Sequence, residues 1–288
     1  MLRYDQVAPG TPWAVIELLI DRVEREEDVV AGRILTQALW SRGDIGKDLE
    51  DLFEGNVPLL KRMYLAACRS ESHTDPHAEI FDLLVSLDST FVDDWTRWFM
   101  AGKTMIHRRD DHRDYSRLWR RADNMDVTRR FIETAYAESR NVLAFEPYLL
   151  VLFVRREGTR DLPELESRQD ALLDTLIRDR RDDPDFLQFI FEVIGHLTPE
   201  RRRGRVDTLL KANSDFDLFQ SLSLEPHGRM AFGSWVPVLR KQVEYFESLL
   251  SLCDSVELLP HRQALEKRIA SLRREMTREK RKDFMRDD

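Results

Sequence analysis

The sequence predicts an all-α protein, built as an α-solenoid of HEAT-like helical hairpins with about 13–15 helices. Apolar residues recur at helical spacing from end to end of the chain, whereas no comparable segment alternates with the period of two that a strand shows. Hydrophobic residues make up 42% and charged residues 34% of the chain, a balance that many amphipathic helices require. Glycine and proline number 11 each, too few for a many-stranded protein with many tight turns.

Apolar faces follow one another along the chain, and most of them predict helices of about 10–18 residues. The face from Phe186 to Leu197 is the most regular, because its apolar residues fall at i, i+3, i+4, i+7, i+8 and i+11. The other well-defined faces are Ile45–Phe53, Val57–Ala67, Phe91–Phe99 and Trp235–Cys253.

Helix starts are marked by capping side chains followed by proline, which the first turn of a helix tolerates. These starts are Asp75-Pro76, Asp183-Pro184 and Thr198-Pro199. Ser234 is expected to cap the helix that starts at Trp235. The connections between the predicted helices are short, as between antiparallel neighbours.

The predicted helices form about seven pairs of roughly 40 residues, the length of a HEAT-like repeat. A compact bundle is the alternative, but it would use fewer and longer helices. We expect residues 1–214 to form the solenoid, and residues 215–288 to form a C-terminal loop and capping helical hairpin packed on the same solenoid. The last helix has an apolar heptad, so it either caps the repeat or makes a short coiled-coil contact. The heptad residues are Leu258, Leu265, Ile269, Leu272 and Met276.

Net charge, cysteine usage and hydropathy indicate where the protein works. The net charge of −8 argues against a general affinity for nucleic acid or anionic membranes. Cys68 and Cys253 lie far apart in different predicted helices, which favours free thiols in a reducing compartment. The apolar run Trp13 to Ile20 is interrupted by Glu17 and follows no basic region, so it predicts neither a signal peptide nor a membrane span. We therefore expect a cytoplasmic protein that does not contact a membrane.

Three motifs resemble cofactor or metal sites, but each lacks part of the chemistry. Residues 102–104, GKT, resemble the end of a phosphate-binding loop, yet Arg97 stands where that loop requires glycine. The histidines of residues 107–112, HRRDDH, are five residues apart, whereas two ligands on one helix need a spacing of four. Residues 73–77, HTDPH, have suitable ligand types, but Asp75 is explained as a helix cap and no further ligands are evident. We therefore expect no cofactor, no metal and no catalytic residue.

Two arginine groups, within residues 178–181 and 201–205, could recognise an anion because guanidinium groups bind phosphate and carboxylate well. Acidic residues interleaved with them favour a salt-bridged surface instead. As candidate partner-binding residues we take charged and aromatic side chains that we expect to face outward. These are Arg113, Tyr115, Arg120, Arg155, Arg156, Arg180 and Arg202.

Several packing and capping motifs stand out in the last third of the chain. They are Phe216-Asp217-Leu218-Phe219, Leu224-Glu225-Pro226, Gly233-Ser234-Trp235-Val236-Pro237, Glu247-Ser248-Leu249-Leu250, and His261-Arg262 before Leu265-Glu266. With these motifs, residues 186–288 resemble the C-terminal helical region of bacterial STAND-type P-loop NTPases, which are linked to anti-phage defence. The resemblance implies a repeat that senses a trigger molecule or serves as a scaffold for assembly. It carries no catalytic assignment, because its motifs consist of packing and capping residues. The phosphate loop of the NTPase module is missing from this sequence.

The leading hypothesis is a protein-recognition or assembly module, a sensor or scaffold, of a bacterial defence or signalling system, with no catalysis of its own. Its partner would be an NTPase or effector subunit, a phage protein or a second copy of the chain. The alternative is a HEAT-like nucleic-acid-binding protein or DNA glycosylase-like enzyme, for which Trp119 beside Arg120-Arg121 is the one suitable local cluster. A protein that merely dimerises is the third alternative.

Overall fold

The structure of the protein, a computed structural model, is all-α over the residues that it describes. Twelve α-helices and two short 3₁₀ helices have both ends within these residues, and none of these residues forms a strand. The prediction of an all-α fold is therefore confirmed. The described residues are 13–40, 56–70, 74–75, 77–101, 115–138, 149–150, 152–153, 162, 164–226 and 234–284.

The chain divides into two compact units. Unit 1 comprises Met1–Asn141 and Arg156–Asp161, and unit 2 comprises Val142–Arg155 and Leu162–Asp288. The division that the sequence predicts after residue 214 lies inside unit 2, and it stays a prediction.

The helices of unit 1 begin with three that pack on one another. They are α1 (Trp13–Glu26), α2 (Val29–Trp40) and α3 (Val57–Ser70). The remaining elements are α4 (Glu79–Leu87), α5 (Phe91–Ala101), the 3₁₀ helix Tyr115–Arg120 and α6 (Asn124–Glu138), of which α5 packs on α6. Where α2 meets α3, Gly32 lies so close to Ser70 that a β-carbon at position 32 would overlap the serine side chain.

A cluster of large aromatic side chains from four α-helices and the 3₁₀ helix lies in the core of unit 1. The ring centroids of Phe81 and Tyr115 are 5.8 Å apart, and those of Tyr115 and Phe131 are 5.3 Å apart. Such pairs each contribute about 0.5–1.5 kcal/mol beyond the burial of their area, so they hold the 3₁₀ helix against α4 and α6. The members of this aromatic cluster are Tyr64, Phe81, Phe91, Trp95, Tyr115 and Phe131.

The helices of unit 2 whose bounds the structure describes are arranged mainly as two packed pairs. They are α7 (Leu165–Asp179), α8 (Pro184–Ile194), α9 (Pro199–Ala212), α10 (Phe216–Ser221), α11 (Val236–Leu250), the 3₁₀ helix Val256–Leu258 and α12 (Leu259–Phe284). Helix α7 packs on α9, and α11 packs along α12. Every apolar residue of the predicted face from Phe186 to Leu197 is buried, as its periodicity predicts.

Two of the predicted helix starts in unit 2 are confirmed together with their caps. Helix α8 begins at Pro184, and the Asp183 carboxylate accepts a hydrogen bond from the backbone N–H of Phe186 (3.1 Å). Thr198 caps α9 in the same way, through its side-chain hydroxyl. Proline in the first turn removes only an N–H that the helix leaves unpaired there, so both starts agree with the physical reason for predicting them.

Helix α12 buries three of the five predicted heptad residues within unit 2. The exposed fractions of Leu265, Ile269 and Leu272 are 3%, 6% and 1%. Because their own unit already covers these side chains, they are not free to form a coiled coil with a second chain. The Ser234 hydroxyl donates to Asp283 near the end of α12 and accepts from the backbone N–H of Val236 (3.2 Å), so it joins the start of α11 to α12.

The structure bears on two expectations from composition, the state of the two cysteines and the presence of membrane-spanning helices. Cys68 on α3 and Cys253 after α11 are free, buried thiols, and burial raises the pKa of Cys253. Among the described residues, no helix has both the length and the apolar character needed to cross a membrane.

Candidate functional site

The seven predicted partner-binding residues have different environments. Arg120 is exposed at the end of the 3₁₀ helix of unit 1. Arg180, in unit 2, is partly exposed, forms an ion pair with Asp183 (3.7 Å) and lies 5.3 Å from the ring centroid of Phe186. Three of the seven lie outside the described residues: Arg113, Arg155 and Arg156.

The expectation that Tyr115 faces outward is wrong. Its exposed fraction is 2%, and its hydroxyl accepts a hydrogen bond from Trp95 Nε1 (3.3 Å) inside the aromatic cluster. A signal for this burial exists in the sequence, because Tyr115, Leu118 and Trp119 have the i, i+3, i+4 spacing of an apolar helix face and all three are buried. The charged residues around this short face obscure it.

The cluster predicted to favour nucleic acid, Trp119 beside Arg120 and Arg121, is not an exposed platform. Trp119 is fully buried, so its ring cannot stack on a base. Arg121 donates hydrogen bonds to the backbone carbonyl of Val85 (3.3 Å) and the hydroxyl of Ser86 (2.7 Å). Carbonyl groups in the last turn of a helix lack partners within that helix, so Arg121 serves to complete the end of α4.

The expectation that Arg202 faces outward is also wrong. Its exposed fraction is 2%, its guanidinium lies 4.5 Å from the ring centroid of Tyr245, and it donates to the backbone carbonyl of Gly195 (3.2 Å). Burial raises the pKa of Tyr245 to about 12, so the phenol stays neutral and the guanidinium is attracted to the face of its ring. The signal in the sequence is that Arg202 shares a helix face with Val206 and Leu209, at i, i+4 and i+7.

Arginine and aspartate side chains join α7 to α9, and we call this set the α7–α9 charge ladder. The Asp170 carboxylate lies 2.7 Å from Arg201 and 2.9 Å from Arg205. Asp174 accepts hydrogen bonds from Arg205 Nη2 (2.9 Å) and from the Thr208 hydroxyl (2.5 Å). The Nε and Nη1 groups of Arg205 approach carboxylate oxygens without the alignment of hydrogen bonds, so that attraction is mainly Coulombic. The ladder therefore holds two helices together, and its arginines are not free to bind an external anion.

Asp75 has the capping role predicted for it, although three residues separate it from the first residue of α4. It is fully buried, and its carboxylate accepts hydrogen bonds from the backbone N–H groups of Glu79 (2.8 Å), Ile80 (3.1 Å) and Phe81 (2.8 Å). The Tyr64 hydroxyl donates to the same carboxylate (2.9 Å). Helix α4 starts only at Glu79, so the predicted start directly after Asp75 is three residues too early. These bonds occupy the carboxylate that a metal at residues 73–77 would need.

The remaining motifs add no cofactor or metal site to the described part of the chain. Residues 102–104 and 107–112 lie outside it. Arg97 lies within α5, the helix that its aromatic neighbours predict. In the ranges that the structure describes, no three His, Cys, Asp or Glu side chains are grouped so as to hold a metal ion.

His261 is an imidazole enclosed in unit 2 at the start of α12. Its exposed fraction is 1%, and its ring packs against Phe216 and Phe219 with centroids 5.3 and 4.8 Å away. Neither ring nitrogen makes a hydrogen bond with a described residue. Burial lowers the pKa of His261, and the proximity of Asp215 only partly offsets this effect. The neutral ring therefore belongs to the apolar contact between α10 and α12, one turn before Leu265 on the same buried face.

Helices α1 and α2 carry large apolar side chains on their exposed faces as well as on their buried ones. Leu18 is 60% and Val30 is 67% exposed, although the same helices bury Ile20 and Leu35. A helix buries one stripe, so further apolar residues on its other side stay in contact with solvent. We call this exposed set the N-terminal apolar surface, and its residues are Val15, Leu18, Val29, Val30 and Ile34.

Ion pairs accompany the N-terminal apolar surface on the same helices. Arg62 on α3 lies 2.9 Å from Glu24 and 3.2 Å from Asp21, and Arg22 lies 2.5 Å from Asp28. Apolar residues with charged residues around them are the usual composition of a protein–protein interface. The sequence signal for this surface is the run Trp13–Ile20, which is apolar on more sides than one buried stripe requires.

The N-terminal apolar surface is the candidate functional site. The other charged groups described above are occupied by contacts within their own units. They are the buried Asp75 and Arg202 and the partly buried α7–α9 charge ladder. A comparison of the chain with known protein families, with curated proteins and with solved structures finds no match.

Proposed function

We propose that the protein is a cytoplasmic protein-recognition or assembly module, a sensor or scaffold, of a bacterial defence or signalling system, with no catalysis of its own. In this proposal its helical hairpins stack as a HEAT-like α-solenoid. Its partner is an NTPase or effector subunit, a phage protein or a second copy of the chain. The all-α fold and the resemblance of residues 186–288 to the C-terminal region of STAND-type NTPases support this proposal.

The observation that carries the proposal is the N-terminal apolar surface. Exposed large apolar residues on two packed helices, α1 and α2, are unfavourable in water, and covering them is worth about 25 cal/mol per Å² of apolar area. The fully buried centre of a protein–protein interface is more apolar than the rest of the protein surface, so exposed apolar side chains are suitable contact positions. The partner that fits this surface is an apolar face of another protein, with charged residues at its edge that complement the ion pairs of α1.

The enclosed ionisable groups support binding rather than catalysis. A catalytic group must reach the reacting atoms of a substrate. Asp75 and Arg202 are buried, and each is already engaged by other groups of its own unit. They therefore stabilise the fold and leave recognition to exposed side chains.

The cluster that favoured the DNA glycosylase-like alternative is not accessible to a base, because its tryptophan is buried. A base-flipping enzyme needs an aromatic side chain that contacts the base inside an accessible pocket. Trp119 is 0% exposed and Arg121 is bound to α4, so neither is available for this role.

The test compares three tagged full-length proteins. They are the wild type, a double variant of the N-terminal apolar surface (Leu18→Glu with Val30→Glu), and a matched control that places the same charges on exposed apolar residues of unit 2 (Val256→Glu with Leu259→Glu). Val256 is 89% and Leu259 is 50% exposed, so the control also changes only exposed positions. Each protein is used to capture partners from cells that contain its natural partners, with mass spectrometry as the readout, and light scattering measures self-association.

The expected result is one protein that the wild type and the control retain and that the surface variant loses. Two buried charges weaken such a contact by at least about tenfold, which corresponds to about 1.4 kcal/mol. Loss of self-association in the surface variant alone would identify the partner as a second copy. Equal retention by all three proteins, or equal loss in the control, would remove the N-terminal apolar surface as the binding site.

A further inference from the structure

Helix α12 presents a row of basic side chains on the side opposite its buried face. The helix has nine basic and four acidic residues, a net charge of +5 in a chain whose net charge is −8. Four exposed cations follow one another at spacings of seven, four and three residues. At about 100° per residue they fall within an arc of about 60°, centred opposite the stripe of buried leucine and isoleucine. We call this row the basic stripe, and it consists of Lys267, Arg274, Arg278 and Arg281.

Among the described residues, no ion pair neutralises the basic stripe, whereas four other cations of the same helix do form ion pairs. Those that form ion pairs with neighbouring carboxylates are Arg262, Arg268, Arg273 and Lys282. The acidic residues of the helix are occupied as well, each by a hydrogen bond or an ion pair: Glu266, Glu275, Glu279 and Asp283. Within the part of the chain that the structure describes, no carboxylate forms an ion pair with a stripe residue.

The length and chemistry of the basic stripe match a phosphate backbone. Lys267 and Arg281 are 14 positions apart, which corresponds to about 21 Å along the helix. Duplex nucleic acid carries one negative charge per about 1.7 Å of its axis, so a row of this length faces several phosphates at once. Three of the four cations are arginines, whose planar guanidinium binds phosphate oxygens in a two-pronged geometry. Ala270 and Thr277 are exposed beside the row and are short, so they leave the backbone room to approach.

A protein partner fits the basic stripe less well than a nucleic acid does. Protein interfaces depend on apolar or aromatic anchors in a desolvated centre, and the stripe contains none. Phosphate binding requires only positively charged and polar donors. The net negative charge of the chain acts weakly at this surface, because charges more than about 8 Å apart are largely screened at physiological salt.

We propose that the basic stripe of α12 binds the phosphate backbone of nucleic acid without regard to base sequence. Contacts to phosphates position a protein on nucleic acid but carry no sequence information. This activity goes beyond the protein recognition proposed above. It uses different residues on a different unit, so either proposal stands if the other fails.

The test uses the full-length protein and two quadruple variants with the same change of charge. The stripe variant is Lys267→Gln, Arg274→Gln, Arg278→Gln and Arg281→Gln. The control is Arg262→Gln, Arg268→Gln, Arg273→Gln and Lys282→Gln, which removes cations of the same helix that are already paired. Because the control also breaks ion pairs, it disturbs the fold at least as much as the stripe variant does. Fluorescence anisotropy with a labelled duplex of random sequence measures affinity at several salt concentrations.

The wild type and the control are expected to bind the duplex with a log–log salt slope of about −3.6, since four phosphate contacts contribute about 0.9 each. Between about 50 and 200 mM salt their affinity should fall by about a hundredfold. The stripe variant should lose both the binding and the salt dependence, whereas Leu18→Glu with Val30→Glu should retain them.

Three results would overturn the proposal. The first is a wild type that does not bind the duplex at the lowest salt concentration. The second is an equal loss of affinity in the stripe variant and the control. The third is competition by a polyglutamate peptide as effective as that by unlabelled duplex, which would assign the stripe to an acidic protein instead.

Discussion

Unit 1 and unit 2 both enclose charged side chains, but they satisfy them with different donors. In unit 1, the Asp75 carboxylate is bound by backbone N–H groups that the first turn of α4 already directs towards it. In unit 2, the Asp174 carboxylate is bound by the guanidinium of Arg205, a long side chain that must itself be ordered and desolvated. A backbone donor is lost only when its residue is replaced by proline, whereas either member of a charge pair can be removed by an ordinary substitution. The two units should therefore respond differently when a carboxylate is lost.

The largest effect is expected for Asp75→Ala in unit 1. The substitution leaves three backbone N–H groups and the Tyr64 hydroxyl without this acceptor in a buried site, so it should lower the free energy of unfolding by about 3–5 kcal/mol. Urea unfolding followed by far-UV circular dichroism measures it, because the described residues of both units form helices and both therefore contribute to the signal. Asp215→Ala is the control, since that carboxylate caps α10 at an exposed site and its loss should cost about 1 kcal/mol. Equal costs would show that the burial of Asp75 and its additional donors add nothing to the worth of the cap.

A smaller effect, about 3 kcal/mol, is expected for Asp174→Ala in unit 2, because it leaves the buried Arg205 guanidinium without its nearest carboxylate. The double variant Asp174→Leu with Arg205→Met should be more stable than the single variant, since it removes the desolvated charge together with its partner. Unfolding followed by far-UV circular dichroism compares the two. A double variant less stable than Asp174→Ala would show that the α7–α9 charge ladder cannot be replaced by apolar contacts.

The two units also differ at a helical glycine. Gly32→Ala in unit 1 should destabilise by about 1–3 kcal/mol, because the new methyl group overlaps Ser70. Gly204→Ala in unit 2 should stabilise by about 0.5–1 kcal/mol, because nothing lies within 4 Å of its added carbon and alanine is the better helix former. Thermal unfolding of the pair measures both signs. A stabilising Gly32→Ala would mean that α2 and α3 separate without cost.

The smallest effect is expected from pH and should be confined to unit 2. The folded-state pKa of His261 is lowered by burial, so the folded protein binds a proton less readily than the unfolded chain. Its contribution to stability is complete above the unfolded pKa of about 6.5 and is lost progressively as the pH falls from there towards the lower folded pKa. The urea midpoint of the wild type should therefore decrease between neutral and mildly acidic pH by more than that of His261→Phe. Parallel decreases in the two proteins would assign the effect to other groups.

Local periodicity predicts the helices of this protein better than it predicts their partners. The face from Phe186 to Leu197 is buried as predicted, because the repeat of apolar residues alone determines which side of α8 turns inward. The caps at Asp183 and Thr198 are equally local and are confirmed. Asp75 caps α4 across an intervening turn with Ala78 in a left-handed conformation, which spacing along the chain does not reveal.

Residue type alone did not reveal that Tyr115 and Arg202 are buried. Arg202 is buried because Tyr245, far along the chain, supplies a ring face for its guanidinium. Polar character indicates exposure only where no such partner exists, and the identity of a distant partner is not encoded in a local pattern. The helical position was the more reliable signal, since Arg202 lies on the face of Val206 and Leu209, both of which are buried.

The two buried cysteines give each unit its own chemical reporter. Cys68 belongs to unit 1 and Cys253 to unit 2, and these are the only thiols of the chain. A thiol reagent can reach a buried sulfur only when the surrounding structure opens, so the labelling rate at each cysteine measures the opening of its own unit under native conditions. A ligand that binds one unit should slow labelling at that unit's cysteine and leave the other rate unchanged. The wild-type chain therefore allows a binding event to be assigned to one unit without any introduced cysteine.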